Sequence, residues 1–367
     1  MNLSRDKIME ILGKIVHPGT GKPITEMGMV SDAGFNDEGI VIFLQVAKPQ
    51  DPLISSIRKA CIRAIQAEAG NDVNVSVEII VPESTTPKKQ ETASLPGVKN
   101  IIAVASGKGG VGKSTVAVNL SVAVANKGYK VGLIDADVYG PSIPKMFDVE
   151  NLRPLVKSVE GKEWIVPIEK FGVKMLSVGF FVNPEDALIW RGPMATSALR
   201  QLINQGEWGD LDFLFLDLPP GTGDVHLTIV QEMAITGAVI ISTPQAVALA
   251  DAVKGISMFE SDKIKVPILG LIENMSWFTP AELPENKYYI FGKNGCKQLA
   301  EKMNMPLLGQ IPIVESICES GDNGRPAVLD PESIPGKAFT LLAEKFLVQV
   351  ELRNSTLEAT QRVKMKT

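Results

Sequence analysis

The sequence predicts an α/β protein in two domains: a small α+β unit, then a larger domain on a mostly parallel sheet. Three observations carry that expectation. Residues 82–97 are polar, contain prolines and have no apolar period, as an interdomain linker does. Beyond them, short apolar runs alternate with helical segments, the pattern of parallel strands buried on both faces. One strand–helix junction also carries a glycine- and lysine-rich loop, Gly107 to Thr115. The length, 367 residues, suits two domains at about 150 residues each.

In the first unit, residues 1–81, the segment 3–16 places Leu3, Ile8, Ile11, Leu12 and Ile15 at helical spacing. Gly39–Ala47 reads as a buried strand, Ile54–Ala69 as a helix and Val73–Val81 as an alternating strand. After the linker, the strand candidates are Ile101–Ala105, Val131–Ile134, Phe213–Leu216, Ala238–Ile241 and Pro267–Ile272, within a domain spanning 98–352. Residues 353–367 are basic and read as a flexible, solvated tail.

Composition excludes several function classes. The 37 basic and 42 acidic residues leave a formal net charge of -5, so a nucleic-acid-coating surface is not expected. No run approaches the ~20 apolar residues of a membrane span, and no signal peptide is recognisable, so neither nucleic acid nor membrane is expected as a partner. Three cysteines, Cys61, Cys296 and Cys318, fit a reducing cytoplasm better than a disulfide framework. His17 and His226 are isolated and lack metal-ligand spacing.

The loop Gly107-Lys108-Gly109-Gly110-Val111-Gly112-Lys113-Ser114-Thr115 satisfies G-x-x-x-x-G-K-[ST] between a strand and a helix, Ser114–Asn126. Glycines let backbone N–H groups converge on a polyanion, and the helix N-terminus adds positive potential. Lys113 is expected at the β- and γ-phosphates and Ser114 at Mg²⁺. Two further strands end in acids. Asp135 and Asp137, two residues apart, project from one side of an extended strand, and Asp217 closes the run Phe213–Leu216 in the manner of a Walker B strand. The rigid Leu218-Pro219-Pro220-Gly221-Thr222-Gly223-Asp224 follows, suited to a switch that senses a γ-phosphate. Asp224 either contacts Mg²⁺ or a partner, or is a plain helix cap. A fifth strand ends in Glu273-Asn274-Met275, with no guanine-reading N-K-x-D.

The loop resembles the deviant Walker A of the MinD/ParA/nitrogenase-iron-protein class of ATPases. That resemblance implies an ATP-sandwiched homodimer in which Lys108 crosses to the partner's nucleotide. It also implies that Asp135 lies near Mg²⁺, Asp137 at the attacking water and Asn274 at the adenine edge. Asp135-Ala136-Asp137-Val138-Tyr139-Gly140-Pro141-Ser142, Arg191-Gly192-Pro193-Met194, Asp217–Asp224, Glu273-Asn274-Met275 and Gly309-Gln310-Ile311-Pro312 together resemble the Mrp/ApbC family of ATP-dependent iron–sulfur cluster carriers. The segment Val16–Val30 is similar to the accessory domain often fused in front of bacterial members. The family resemblance implies transfer of a [4Fe–4S] cluster to apo iron–sulfur proteins or assembly factors.

The chain departs from the family in one respect. Members carry C-x-x-C before a Phe-Gly, whereas Ser276–Ile290, ahead of Phe291-Gly292, contains no cysteine, and Ala47–Pro52 lacks the accessory domain's Cys-Pro. Clusters are held by thiolates, so Cys296 and Cys318 are the remaining candidates. Cys296 begins an apparent helix, where a thiol pKa is expected to fall. Cys61 lies on an apolar helix face and is expected in a core. The second reading is an ATP-driven dimerisation switch that holds no cluster and docks a partner through the first domain and the insert 276–291, whose Trp277, Phe278, Tyr288 and Tyr289 suit a partner anchor.

Overall fold

The computed structural model describes residues 4–18, 20–36, 39–45, 52–70, 73–80, 95, 97–138, 140–159, 161–181, 192–223, 226, 229–230, 233–262, 264–280, 282–283 and 285–358. Nearly all of the linker candidate, Tyr139, Arg191, Asp224 and 359–367 lie outside them. The chain divides into two compact units, Met1–Gln90 and Glu91–Thr367.

The first unit runs α1 (Arg5–Leu12), β1 (Val30–Asn36), β2 (Gly39–Gln45), α2 (Pro52–Ala69) and β3 (Val75–Ile80). Ser4 caps α1 by accepting from the Lys7 N–H, and the helix stops at Gly13, so Ile15 falls beyond it. The sheet order is β1-β2-β3, with β1 antiparallel and β3 parallel to β2. Ile8 and Leu12, Ile42 and Leu44, and Ile57, Cys61 and Ile65 fill its core. Cys61 is therefore a core residue; burial pushes its thiol up to about 11. β1 escapes the sequence reading because Val30-Ser31-Asp32-Ala33-Gly34 buries only Val30 and Ala33.

The second unit runs β4 (Val98–Ala105), α3 (Lys113–Asn126), β5 (Val131–Asp135), α4 (Ile143–Met146), β6 (Val156–Val159), β7 (Lys162–Ile165), β8 (Ile168–Lys170), β9 (Val173–Ser177), α5 (Gly192–Gln205) and β10 (Leu211–Asp217). It continues with β11 (Gly237–Ser242), α6 (Ala246–Glu260), β12 (Ile268–Glu273), α7 (Gly295–Lys302), β13 (Leu307–Gln310), α8 (Glu315–Asp322) and α9 (Ile334–Thr356). Eight strands form one sheet in the order β13-β12-β11-β4-β10-β5-β9-β8, parallel except for the edge pair β8–β9. β6 and β7 form a separate antiparallel ribbon.

Alternate residues of each central strand enter opposite cores. Ile101, Ala103, Leu214, Leu216 and Ile240 pack with α5 and α6 through Leu199, Leu202, Ile256 and Phe259. Ile102, Val104, Phe213, Phe215 and Ile241 pack with α3 and α9 through Val116, Leu120, Phe339, Leu342 and Phe346. Two covered faces explain why these strands are continuous apolar runs rather than alternating ones. From β4 the chain first builds β5, β9 and β10 on one side, then β11, β12 and β13 on the other. The carboxyl end of β4 therefore opens a crevice at a topological switch point. The expected tail from residue 353 begins inside α9, which runs to Thr356; its proline and glycine, Pro335 and Gly336, lie in its first turn and none follows them.

Candidate nucleotide site

β4 leads into the glycine loop and α3 leaves it. Only glycine fits at two positions of the loop. At Gly107 a Cβ would stand 2.1 Å from the Asp251 backbone; at Gly112, where φ is +78°, it would stand 2.2 Å from Asn274 Nδ2. Asn274, at the end of β12, donates from that nitrogen to the Val111 carbonyl at 2.9 Å. Its side chain thus ties the loop to the sheet.

Lys113 and Ser114 open α3, and both reach the last residue of β10. Lys113 Nζ lies 2.6 Å from Asp217 Oδ1, and Ser114 Oγ donates to Oδ2 at 2.5 Å. Asp217 is fully buried and Lys113 is 6% exposed. Parallel register sets Asp217 beside Asp135 on β5, so two acids end adjacent strands at the crevice. Asp135 accepts from Ser177 Oγ at 2.8 Å and from the N–H groups of Asp137 and Ile143. Burial, and then the neighbouring charge of Asp217, push Asp135 up to about 7. Burial also raises Asp217, against the pull of Lys113. Asp137 Oδ2 sits 3.8 Å from Lys113 Nζ. These are hard oxygen donors beside a lysine and a helix N-terminus, a set that fits Mg²⁺ and phosphate oxygens.

Lys108 is exposed on the loop. Gly221 N–H donates to the Ser106 carbonyl at 2.9 Å, laying the Pro219–Gly223 segment against the loop. His226, just beyond that segment, is buried. Burial pushes its imidazole down to about 4, against the carbonyls of Pro219 and Gly223.

Beside Gly112, Thr115 and Asn274 opens a cavity of about 560 Å³ with largely apolar walls, among them Met275, Phe291, Ile313 and Ile317. That volume lies in the range of small-molecule sites. The aromatic segment borders it. Phe278 pairs with Tyr288 across a short hairpin, and Lys287 Nζ stands 4.1 Å over the Trp277 ring.

The expectation for Cys296 is corrected. It does begin α7, but its thiol is buried and pushed up to about 12, by burial and then by Glu273. Glu273 Oε2 accepts the Cys296 N–H at 2.7 Å, so a carboxylate already occupies that helix N-terminus. Cys318, on α8, is exposed and lines the cavity. Among the described residues, no group of three or more His, Cys, Asp or Glu side chains is placed to hold a metal ion. The sequence reading missed Ser177, which meets Asp135 only through the β5–β9 register, and the Ser106–Gly221 tie.

Comparison with known proteins decides the family. The model for the NUBPL iron-transfer P-loop NTPase family matches residues 97–347. The chain belongs to that family. Residues 5–77 match a second family, described as an iron–sulfur cluster assembly protein. An iron–sulfur cluster carrier protein of Synechocystis is 40% identical over 353 residues, 95% of this chain and 99% of its own. The iron–sulfur protein required for NADH dehydrogenase of Arabidopsis thaliana mitochondria is 53% identical over 252 residues, 68% of this chain and 78% of its own. Among solved structures, a nucleotide-binding protein of Archaeoglobus fulgidus in complex with ADP is 36% identical. It aligns with a TM-score of 0.57 over 67% of this chain and 94% of that one. As a P-loop NTPase of this family, the chain carries its phosphate loop on β4 and α3. No helix among the described residues is long and apolar enough to cross a membrane.

Proposed function

We propose that this chain is a cytoplasmic, ATP-binding and ATP-hydrolysing homodimer that transfers iron–sulfur clusters to apoproteins. The observation that carries the reading is the Lys113–Asp217–Ser114 cluster beside Asp135, set at strand ends next to a cavity of nucleotide size. It stands in a chain both of whose parts match iron–sulfur families.

Lys113 would follow the β- and γ-phosphates, and Gly107 to Thr115 would offer backbone N–H groups to them. Mg²⁺ would be held by Ser114 with Asp217 and Asp135 behind it; when bound it neutralises phosphate charge. Asp137 would orient the attacking water. Asn274 holds the loop through Val111 and borders the base cavity. Lys108, exposed on the loop, supplies a cation to the partner's phosphates, as an arginine finger does. The cluster is cargo. Of the three thiols only Cys318 is exposed, so we assign thiolate ligation to it rather than to Cys296.

The test is anaerobic loading with iron and sulfide, followed by transfer to an apo-ferredoxin with and without Mg–ATP. Iron and sulfide per dimer are counted for the wild type, Cys318→Ala and Cys296→Ala. Loading lost in Cys318→Ala alone, with ATP-dependent transfer, supports the reading. Transfer that is absent, or indifferent to Lys113→Ala, defeats it.

A further inference from the structure

The nucleotide cavity holds one chemical feature that phosphate binding and base packing leave unused. Of the described residues lining it, a single one, Asp322, carries a carboxylate. Asp322 closes α8, whose residues Ile317, Cys318, Gly321 and Asp322 lie along the cavity at one-turn spacing. It is exposed, and its Oδ2 faces the Cys318 thiol at 3.8 Å. The lysine that shares the cavity wall, Lys145 on α4, is paired with Glu150 at 3.5 Å instead.

A carboxylate only accepts hydrogen bonds. ATP is mostly acceptors: its phosphate oxygens and ring nitrogens would repel Asp322. Its donors are the N6 amino group and the two ribose hydroxyls. The base belongs against the apolar walls, where its planar area is buried. The ribose joins the base to the phosphates, and Asp322 is the exposed carboxylate that the cavity wall offers it. Two carboxylate oxygens match a vicinal diol, the contact by which an Asp or Glu reads ribose in dinucleotide folds.

We infer that Asp322 is the sugar-reading residue of this site and makes the protein selective for ribonucleotides over 2′-deoxyribonucleotides. The inference rests on the nucleotide-binding reading above and adds the selectivity to it. An exposed, charge-assisted hydrogen bond is worth roughly a factor of ten in affinity.

Equilibrium binding of ATP, 2′-deoxyATP, 3′-deoxyATP and ITP, each with Mg²⁺, tests this on the full chain. Wild type is expected to bind ATP about tenfold more tightly than either deoxynucleotide. Asp322→Ala and Asp322→Asn are expected to bring the ratio to within about twofold by weakening ATP most, with the affinity for 2′,3′-dideoxyATP, which lacks both hydroxyls and is measured alongside, unchanged. That unchanged affinity also shows that the variants are folded. Equal binding of ATP and 2′-deoxyATP by the wild type, or a ratio that survives both substitutions, overturns the inference. So does a change confined to the ATP/ITP ratio, which would move Asp322 to the amino group. Wild type that binds none of the four fails the nucleotide reading itself, a result distinct from equal binding.

Discussion

Replacing Lys113 with methionine tests whether the buried cluster is an electrostatic unit. Lys113 Nζ is 2.6 Å from Asp217 Oδ1, with Asp217 fully buried and Asp135 in register beside it. At an effective dielectric near 20, a pair at that distance attracts by about 6 kcal/mol. Desolvation offsets part of this, and breaking such a pair from one side costs about 3–5 kcal/mol because a buried charge is stranded. Lys113→Met is therefore expected to lose about 3–5 kcal/mol at pH 7.5. The same change in an Asp217→Asn background, where no charge is stranded at 217, is expected to cost about 1 kcal/mol or less. The deficit also depends on pH. Both carboxylates have folded pKa values raised above the unfolded ones, so the folded state binds more protons and their stabilising contribution falls as pH rises. Without Lys113 that dependence steepens, and the deficit shrinks toward pH 6. Urea unfolding followed by tryptophan fluorescence reads this unit alone, because all four tryptophans, Trp164, Trp190, Trp208 and Trp277, belong to it. Equal costs of Lys113→Met in both backgrounds, or a deficit flat from pH 6 to 8, would refute the coupling. Mg–ATP binding should be lost in every variant that lacks Lys113.

Lys108→Ala is expected to keep nucleotide affinity and lower hydrolysis by a factor on the order of 10³; unchanged turnover rejects the trans-lysine role. N-ethylmaleimide is expected to label Cys318 alone in the folded protein, with Mg–ATP slowing the labelling, since Cys61 and Cys296 are buried with thiols pushed up to about 11 and 12. Intact mass showing all three modified together would contradict the burial. Burial lowers His226 from 6.5 to about 4, so the unfolded chain binds its proton first and stability is lost as pH falls between those values. His226→Leu is expected to remove about 3 kcal/mol of acid sensitivity across that window, and identical urea midpoints against pH in variant and wild type would exclude it.

How much was legible depended on whether a residue's partner lies near it in the chain. Continuous apolar runs announced β4, β5, β10, β11 and β12, because a strand covered on both faces has no polar side to hide. The loop Gly107–Thr115 and the acids Asp135 and Asp217 were legible for the same reason: strand, turn and helix are local. Edge elements were not. β6 is exposed along its length, and β8 is three residues long, so neither carries an apolar run. Ser177 is one serine among many until register seats it on Asp135. For Cys296 a local rule gave way to a tertiary fact: the helix N-terminus that would favour a thiolate is filled by Glu273, 23 residues away.

Lys113, Ser114 and Asp217 are bonded to one another, and this bears on how nucleotide binding, in the proposed function, would reach the rest of the domain. Lys113 and Ser114 both spend hydrogen bonds on Asp217. In the proposed function, a nucleotide that draws Lys113 onto its phosphates would compete with Asp217 for its donors. In the proposed function, Mg²⁺ held near Asp217 would replace the cation that leaves, which would make metal and phosphate binding mutually dependent. Asp217 is also bonded through its carbonyl to the Ala136 N–H at 3.0 Å, one residue before Asp137. Its neighbour Leu218 leads into the segment that Gly221 pins to Ser106. Moving one lysine off one carboxylate therefore changes the charge felt by both strand-end segments at once. In the proposed dimer these are the segments that present Asp137 and receive the partner's Lys108. ATP occupancy can then be read at the subunit face with no long-range pathway, through a single buried ion pair made or broken.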